Sequence, residues 1–257
     1  VIHPSAVVAD GAILADDVEV GPFSFIDEKV EIGSGTVVGP HVVIKGPTKI
    51  GQHNKIHQFA AIGDAPQDLK YRGEDTCLEI GDHNTIREYA TINRGTVDGG
   101  GYTRIGDHNL LMAYTHVAHD CQLGNRIVFS NGASLAGHVE VGDYVILSGF
   151  SLVHQFCKIG AHAFAGMGSS INKDVAPYTL VSGNYATARS INKEGLRRRG
   201  FSDEGIQALH QAYKTLLRGK KADIDDENLQ QLAASHEEVA HFVSFIADST
   251  RGVVRSA

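Results

Sequence analysis

From Ile2 onward every sixth residue of this chain is aliphatic: Ile2, Val8, Leu14, Val20, Ile26, Ile32, Val38, Ile44, Ile50, Ile56 and Ile62. The phase resumes at Ile80, Ile86 and Ile92. It then moves on by one residue to Ile105, Leu111, Val117, Leu123, Phe129, Leu135, Val141, Leu147, Val153, Ile159, Ala165 and Ile171. Helices repeat near 3.6 residues and exposed strands near 2, so a period of six belongs to neither alone. It is the signature of a parallel β-helix, in which short strands stack coil upon coil. Glycine often follows the aliphatic residue, as in "VGPFSF", "IGSGTV", "IGDHNT" and "LGNRIV". This hexad form resembles the left-handed type, in which three hexads make one triangular coil. The expected fold is mainly β: a left-handed parallel β-helix over residues 1–185, then a small α-helical C-terminal domain over 186–257.

Two stretches interrupt the hexads. Residues 63–79, "GDAPQDLKYRGEDTCLE", leave the phase unchanged, and residues 98–104, "DGGGYTR", shift it by one. Insertions in a solenoid leave it as outer loops, often on the binding face. Beyond about residue 185 the pattern turns helical. Ser202, Asp203 and Glu204 form a helix start, and Ile206, Leu209, His210, Tyr213, Leu216 and Leu217 follow helical spacing. Such a unit can cap the open end of a solenoid.

The net charge of −7 argues against a general nucleic-acid binder. No apolar run is long enough to cross a membrane. Asp10, Asp16 and Asp17 break any signal-peptide pattern. The chain opens on Val1, so an initiator methionine is expected to precede it. Three cysteines, an odd and small number, point to a reducing cytoplasm.

With three hexads to the coil, residue n lies beneath residue n+18, about 4.8 Å away. Ala118-His119-Asp120 then stacks beneath Ala136-Gly137-His138, and that triplet beneath His154-Gln155-Phe156. His119, Asp120, His138, His154 and Gln155 come to share one edge, with His116 at its flank. Cys121, Val139 and Cys157 form an inward column. The two cysteines stand about 10 Å apart, too far for a disulfide. Three readings of the histidine edge stay open: a structural polar edge, a zinc site, or a neutral histidine acting as general base. Gly137 above His119 suits the third, because it leaves room for a carbonyl and offers a backbone N–H to developing charge.

The stretches "APQDLKY", "TINRGTVDGGG", "HVAHDC", "LAGHVEVGD", "VHQFCKIGAHAFAG" and "INKEGLRRRGFS" run through most of the chain. On these the sequence resembles the UDP-N-acetylglucosamine O-acyltransferases that begin lipid A synthesis in Gram-negative bacteria. The resemblance implies transfer of an (R)-3-hydroxyacyl group from acyl carrier protein to the glucosamine 3-hydroxyl of UDP-N-acetylglucosamine. His119 would be the general base, Asp120 its orienting partner, and the Gly137 N–H the oxyanion donor. Gln67, Asp68 and Lys70 in the first inserted loop would bind the nucleotide sugar. His116, His138, His154 and Gln155 would line the sugar and acyl site. Asn192, Glu194 and Arg198 would serve nucleotide and donor recognition. "LRRRG" with Lys193 is the nearest basic surface for an acidic carrier protein. Met167 would be the acyl-chain ruler and, by its bulk, would select a chain of about ten carbons, 3-hydroxydecanoyl. The resemblance further implies a homotrimer with active sites between neighbouring solenoids. It implies no metal and no cofactor, the acyl group arriving on the phosphopantetheine of its carrier.

Overall fold

The computed structural model describes residues 1–218 and 224–256. Residues 219–223 and 257, part of the helical stretch expected over 186–257, lie outside the described residues. The chain winds as a left-handed parallel β-helix with three flat faces. The first face stacks nine short strands from Val7–Val8 to Ser170–Ile171. The second stacks eight from Ile13–Leu14 to Lys158–Ile159, and the third ten from Glu19–Val20 to Thr187–Ile191. Val128 pairs with Ile146 and His116 with Ser134, each a step of three hexads. The hexad residues point inward: Val20, Ile26, Ile32, Val38, Ile44, Ile50, Ile56 and Ile62 are all buried. A second inward column of smaller residues accompanies them, including Val18, Ser24, Val30, Thr36, Val42 and Thr48. Ile2 is an exception, half exposed at the open end of the first coil.

Sharp corners between faces require residues with positive φ, a conformation costing a non-glycine residue about 1–3 kcal/mol. Many of those positions carry rings. On the third-to-first edge Phe23, His41, Phe59, Tyr89 and Tyr114 have φ between 54 and 64°. Their rings stack in sequence at 4.9–5.3 Å. That spacing is close to the coil rise, so each ring covers the next and offsets part of the backbone cost. Inside the second-to-third edge runs a ladder of buried asparagines. The Asn84 N–H donates to Asn54 Oδ1 at 2.8 Å, and Asn109 N–H donates to Asn84 Oδ1 at 2.8 Å. The Asn84 side-chain amide donates to the Gly106 carbonyl at 2.9 Å. Each asparagine thus satisfies backbone groups of the coil above it.

The structure trims the first expected loop and shifts the second. Gly63 and Asp64 end strand Ala61–Asp64, and Cys77, Leu78 and Glu79 belong to strand Cys77–Ile80, so the first excursion spans 65–76. Tyr102, Thr103 and Arg104 belong to strand Tyr102–Ile105, so the second spans 94–101 rather than 98–104. The strands keep those residues because their neighbours pair with them: Cys77 with Tyr102 and Glu79 with Arg104. Ile50 pairs with Ile80, and Ile80 with Ile105, both steps longer than three hexads.

The β region also runs past residue 185. Strand Thr187–Ile191 turns back antiparallel on Thr179–Ser182 and ends the third face. Among the described residues four helices follow: α1 (Lys193–Arg198), α2 (Asp203–Leu217), α3 (Glu227–Ser235) and α4 (Glu237–Asp248). The chain then returns to the solenoid. Val253 bridges Asp174, whose buried carboxylate accepts from Lys158 N–H at 2.8 Å and Ser249 Oγ at 2.7 Å.

Replacing Asn84 by alanine strands two backbone groups, the buried Asn109 N–H and the half-buried Gly106 carbonyl. The expected loss is about 2–6 kcal/mol, at roughly 1–3 for each. Urea denaturation of Asn84→Ala beside the wild type measures it, and an unchanged midpoint would show that the ladder contributes nothing.

Candidate active site

The edge between the first and second faces carries the histidines. Strand His116–Val117 leads into the corner Ala118-His119-Asp120-Cys121, and strand Gln122–Leu123 leaves it. Asp120 occupies the positive-φ position (62°) and is 4% exposed. His119 Nδ1 lies 2.7 Å from Asp120 Oδ2. An ionised carboxylate only accepts hydrogen bonds, so Nδ1 donates, and the neutral ring keeps Nε2 free to take a proton. Burial alone would raise the Asp120 carboxyl. The hydrogen bonds from His119 and Thr96 outweigh it, and the group lies below its ordinary value.

Gly137 sits one coil above. A Cβ there would come within 2.5 Å of His119 Cε1 and 2.8 Å of Nε2. The absence of a side chain is therefore what admits the imidazole. Among the described residues, the Gly137 N–H donates to no backbone carbonyl. His138 follows on the same coil, its ring edge-on to His119 at 5.1 Å and stacked on Phe156 at 4.4 Å. Burial pushes the His138 pKa down, against an opposing pull from Asp120, Asp68 and Asp98. His116 binds Thr91 Oγ1 through Nδ1 at 2.7 Å, and burial lowers its pKa as well. Both rings are thus kept neutral near pH 7.

One ligand atom from each of His119, Asp120 and His138 falls within 4.8 Å of the other two, the only such three-ligand cluster found among the described residues. The donor chemistry does not suit zinc. Oδ2 already accepts from the Thr96 hydroxyl and from His119 Nδ1, whose separation is that of a hydrogen bond rather than of two ligands round an ion. An ion held by His119 Nδ1 and Asp120 Oδ2 would have to replace the hydrogen bond between them.

The other sequence-derived positions divide. Asp68 and Lys70 lie in the 65–76 loop and line a cavity of about 160 Å³ with Tyr71, Glu74, Thr96, Val97 and Asp98, beside the histidine edge. Gln67 is exposed on the same loop. Gln155 stands two coils above His119 and is exposed. His154 lies in the next column and turns to the C-terminal segment, with Nδ1 2.8 Å from Arg251 Nη2. Asn192, Glu194 and Arg198 are not at this edge. Asn192 is buried, caps α1 through Gly195 N–H, and donates to the His162 carbonyl at 3.0 Å. Glu194 pairs with Arg197 at 3.0 Å, and Arg198 is exposed. The basic run is less free than its sequence suggests, because Arg199 packs over the Tyr144 ring at 4.7 Å. Met167 lies at the third-to-first edge, across the first face from His119, and is 78% exposed. Sequence reasoning missed Thr96, Thr103 and Thr91. Thr96 and Asp120 are not a whole number of hexad coils apart, and the intervening insertion hides their pairing from a count in threes of hexads.

Residues 174–254 match the family profile described as "Udp N-acetylglucosamine O-acyltransferase; Domain 2". The acyl-[acyl-carrier-protein]–UDP-N-acetylglucosamine O-acyltransferase of Thiobacillus denitrificans is 55% identical over 255 residues, covering 99% of each chain. The chain belongs to this acyltransferase family. The Pseudomonas savastanoi member is 57% identical over 255 residues, again covering 99% of each chain. Among solved structures, the UDP-N-acetylglucosamine acyltransferase of Francisella novicida superposes with a TM-score of 0.95 at 41% identity, covering 100% of this chain and 94% of that one. The acyltransferase fold therefore extends through the helical cap as well as the solenoid.

The cap rests on a titratable stack. His162 lies between Tyr144 at 4.8 Å and Tyr178 at 5.6 Å, with Phe201 against its edge. Burial, helped by Arg199, pushes its pKa down to about 4. The unfolded side chain takes its proton near 6.5. The stability this histidine supports is complete above that pH and is lost as pH falls from about 6.5 towards 4. His116 and His138 act with the same sign. His162→Phe keeps the stack and removes the titration. It is expected to flatten the fall in urea midpoint between about pH 7 and about pH 5, and an unaltered slope would assign that fall to other groups.

Proposed function

We propose that the His119–Asp120 edge transfers an (R)-3-hydroxyacyl group from the thioester of acyl carrier protein to the glucosamine 3-hydroxyl of UDP-N-acetylglucosamine, the first step of lipid A synthesis. The observation that carries this reading is the dyad beneath Gly137. His119 Nε2 takes the proton of the 3-hydroxyl as its oxygen attacks the thioester carbonyl. The C–O bond forms, and the Gly137 N–H receives the negative carbonyl oxygen. Collapse breaks the C–S bond, and the imidazolium returns its proton to the departing phosphopantetheine thiolate. Asp120 holds the tautomer and stabilises the imidazolium. The acyl group moves directly, without a cysteine intermediate: burial pushes the Cys121 thiol up to about 12, Cys157 is buried too, and burial also raises the half-buried Cys77 thiol on the second face. The step needs no metal and no cofactor.

Asp68, Lys70 and Gln67 serve the nucleotide sugar from the 65–76 loop, with His116, His138, His154 and Gln155 along the edge. Asn192, through its cap of α1, holds Glu194 and Arg198 outward at the second-to-third edge, across the second face from the dyad. A site that uses both sets draws them from neighbouring copies, which supports a homotrimer. The exposed column Phe23, Phe59, Tyr89, Tyr114 and Phe150 supplies apolar surface for such packing. A cytoplasmic location fits a substrate pair made of a carrier protein and a nucleotide sugar.

The acyl chain runs from the dyad over the outward residues Ser134 and Leu152 of the first face to Met167. Met167 is too exposed to be core filling, and a neighbouring copy would supply the opposite wall. By resemblance to the family, a methionine at this position would select a chain of about ten carbons.

Mass spectrometry of product from the pure protein, UDP-N-acetylglucosamine and a panel of 3-hydroxyacyl carrier proteins tests the reaction. His119→Ala is expected to lower kcat by about 10²–10⁴-fold. Near wild-type kcat would remove His119 from the mechanism. In the same panel Met167→Gly is expected to move the preference towards longer acyl chains. An identical profile for both proteins would show that the groove ends elsewhere.

A further inference from the structure

Asp120 is held chiefly by one residue outside its own corner. Thr96 N–H donates to Asp120 Oδ1 at 2.7 Å, and Thr96 Oγ1 donates to Oδ2 at 2.6 Å. Oδ2 is also the oxygen that receives His119 Nδ1. Thr96 thus binds both carboxylate oxygens, and one of its bonds ends on the atom that orients the histidine. Two further contacts tighten the arrangement. Gly99 N–H donates to Thr96 Oγ1 at 3.2 Å, leaving the hydroxyl proton directed at Asp120. A Cβ on Gly99 would overlap the Asp120 carboxylate, so the loop can close over Asp120 only with glycine there. From below, Thr103 Oγ1 accepts the Asp120 N–H at 2.8 Å and fixes the backbone.

Thr96 and Gly99 both lie in the 94–101 excursion, the insertion that lengthens one coil beyond three hexads. A regular coil would place a strand-to-strand corner beneath Asp120 and present no side-chain donor to both oxygens. We infer that the 94–101 insertion exists to seat the dyad, with Thr96 the positioning residue that sets the Asp120 carboxylate plane and, through it, the His119 tautomer. This inference rests on the acyl-transfer reading and adds a residue to it. Thr96 lines the cavity with Asp68 and Lys70, but its hydroxyl proton is committed to Asp120, and it acts through that carboxylate. Its loss should therefore lower turnover while leaving substrate binding in place, the mark of an interaction needed only as the imidazolium forms.

Thr96→Val replaces the hydroxyl by a methyl of similar size and keeps the backbone N–H bond. It is expected to lower kcat about tenfold, the value of one charge-assisted hydrogen bond, with KM for both substrates unchanged. Thr96→Ser keeps the hydroxyl and is expected to restore most of that loss. ¹⁵N NMR of the His119 ring supplies a readout that mere loop stability would not move. The wild type should show Nδ1 protonated and Nε2 bare, and Thr96→Val a mixture of tautomers. If valine is not accommodated, Thr96→Ala is measured in its place and should show the same kinetic and NMR changes. Full kcat with an unchanged His119 tautomer in the hydroxyl-less variant would overturn the assignment, as would a serine variant no better than valine. Wild-type turnover and its loss in His119→Ala are recorded in the same assay. A failure of acyl transfer itself is thereby seen separately from a failure of the Thr96 role.

Discussion

Within the solenoid, each short inner strand is held by the strand a coil below and a coil above, through parallel backbone hydrogen bonds in register. A strand of two residues has no stability of its own, and a coil cannot bury its inward residues without neighbours. Register is what converts many weak local contacts into a rigid prism. It aligns the aliphatic hexads into one continuous core, the corner rings into stacks, and the asparagines into a ladder. It also makes each functional side chain as well placed as the backbone that carries it. His119, Gly137 and Gln155 occupy consecutive rungs because their coils cannot slide.

The active edge uses that rigidity and departs from it at one point. A regular coil would leave Asp120 buried beside a histidine with few donors, which is costly for a charged carboxylate. The 94–101 insertion brings Thr96 to both oxygens, and the buried acid stays ionised and oriented. Gly137 does the complementary task by subtraction, since any side chain there would occupy the imidazole's place. Neighbouring His138 and His116 are kept neutral by burial, so the edge carries little positive charge that would oppose formation of the His119 imidazolium.

Chemistry and assembly are separated on the prism. The dyad stands on the first-to-second edge, α1 is anchored beside the His162 stack on the second-to-third edge, and Met167 projects from the third-to-first edge. On the proposed reading, one copy presents parts of a site facing three directions, and packing copies side by side would let a long acyl chain and a nucleotide sugar meet all of them.

Periodic sequence was enough to settle the β-helix, its inward residues and the rung order of His119, Gly137 and Gln155, because a coil of three hexads makes spatial neighbours calculable from numbering alone. It was enough, too, to place Cys121 and Cys157 in the core. Tertiary structure decided the side-chain partners that lie off the period. Thr96 reaches Asp120 across an insertion, so no fixed step connects them. Asn192 turned out to be a helix cap, with its amide committed to Gly195 and the His162 carbonyl, and Arg199 lies over Tyr144 rather than free in a basic run. His154 answers to Arg251 from the far end of the chain. These contacts join segments whose separation is no multiple of the coil, and only the folded chain brings such segments together.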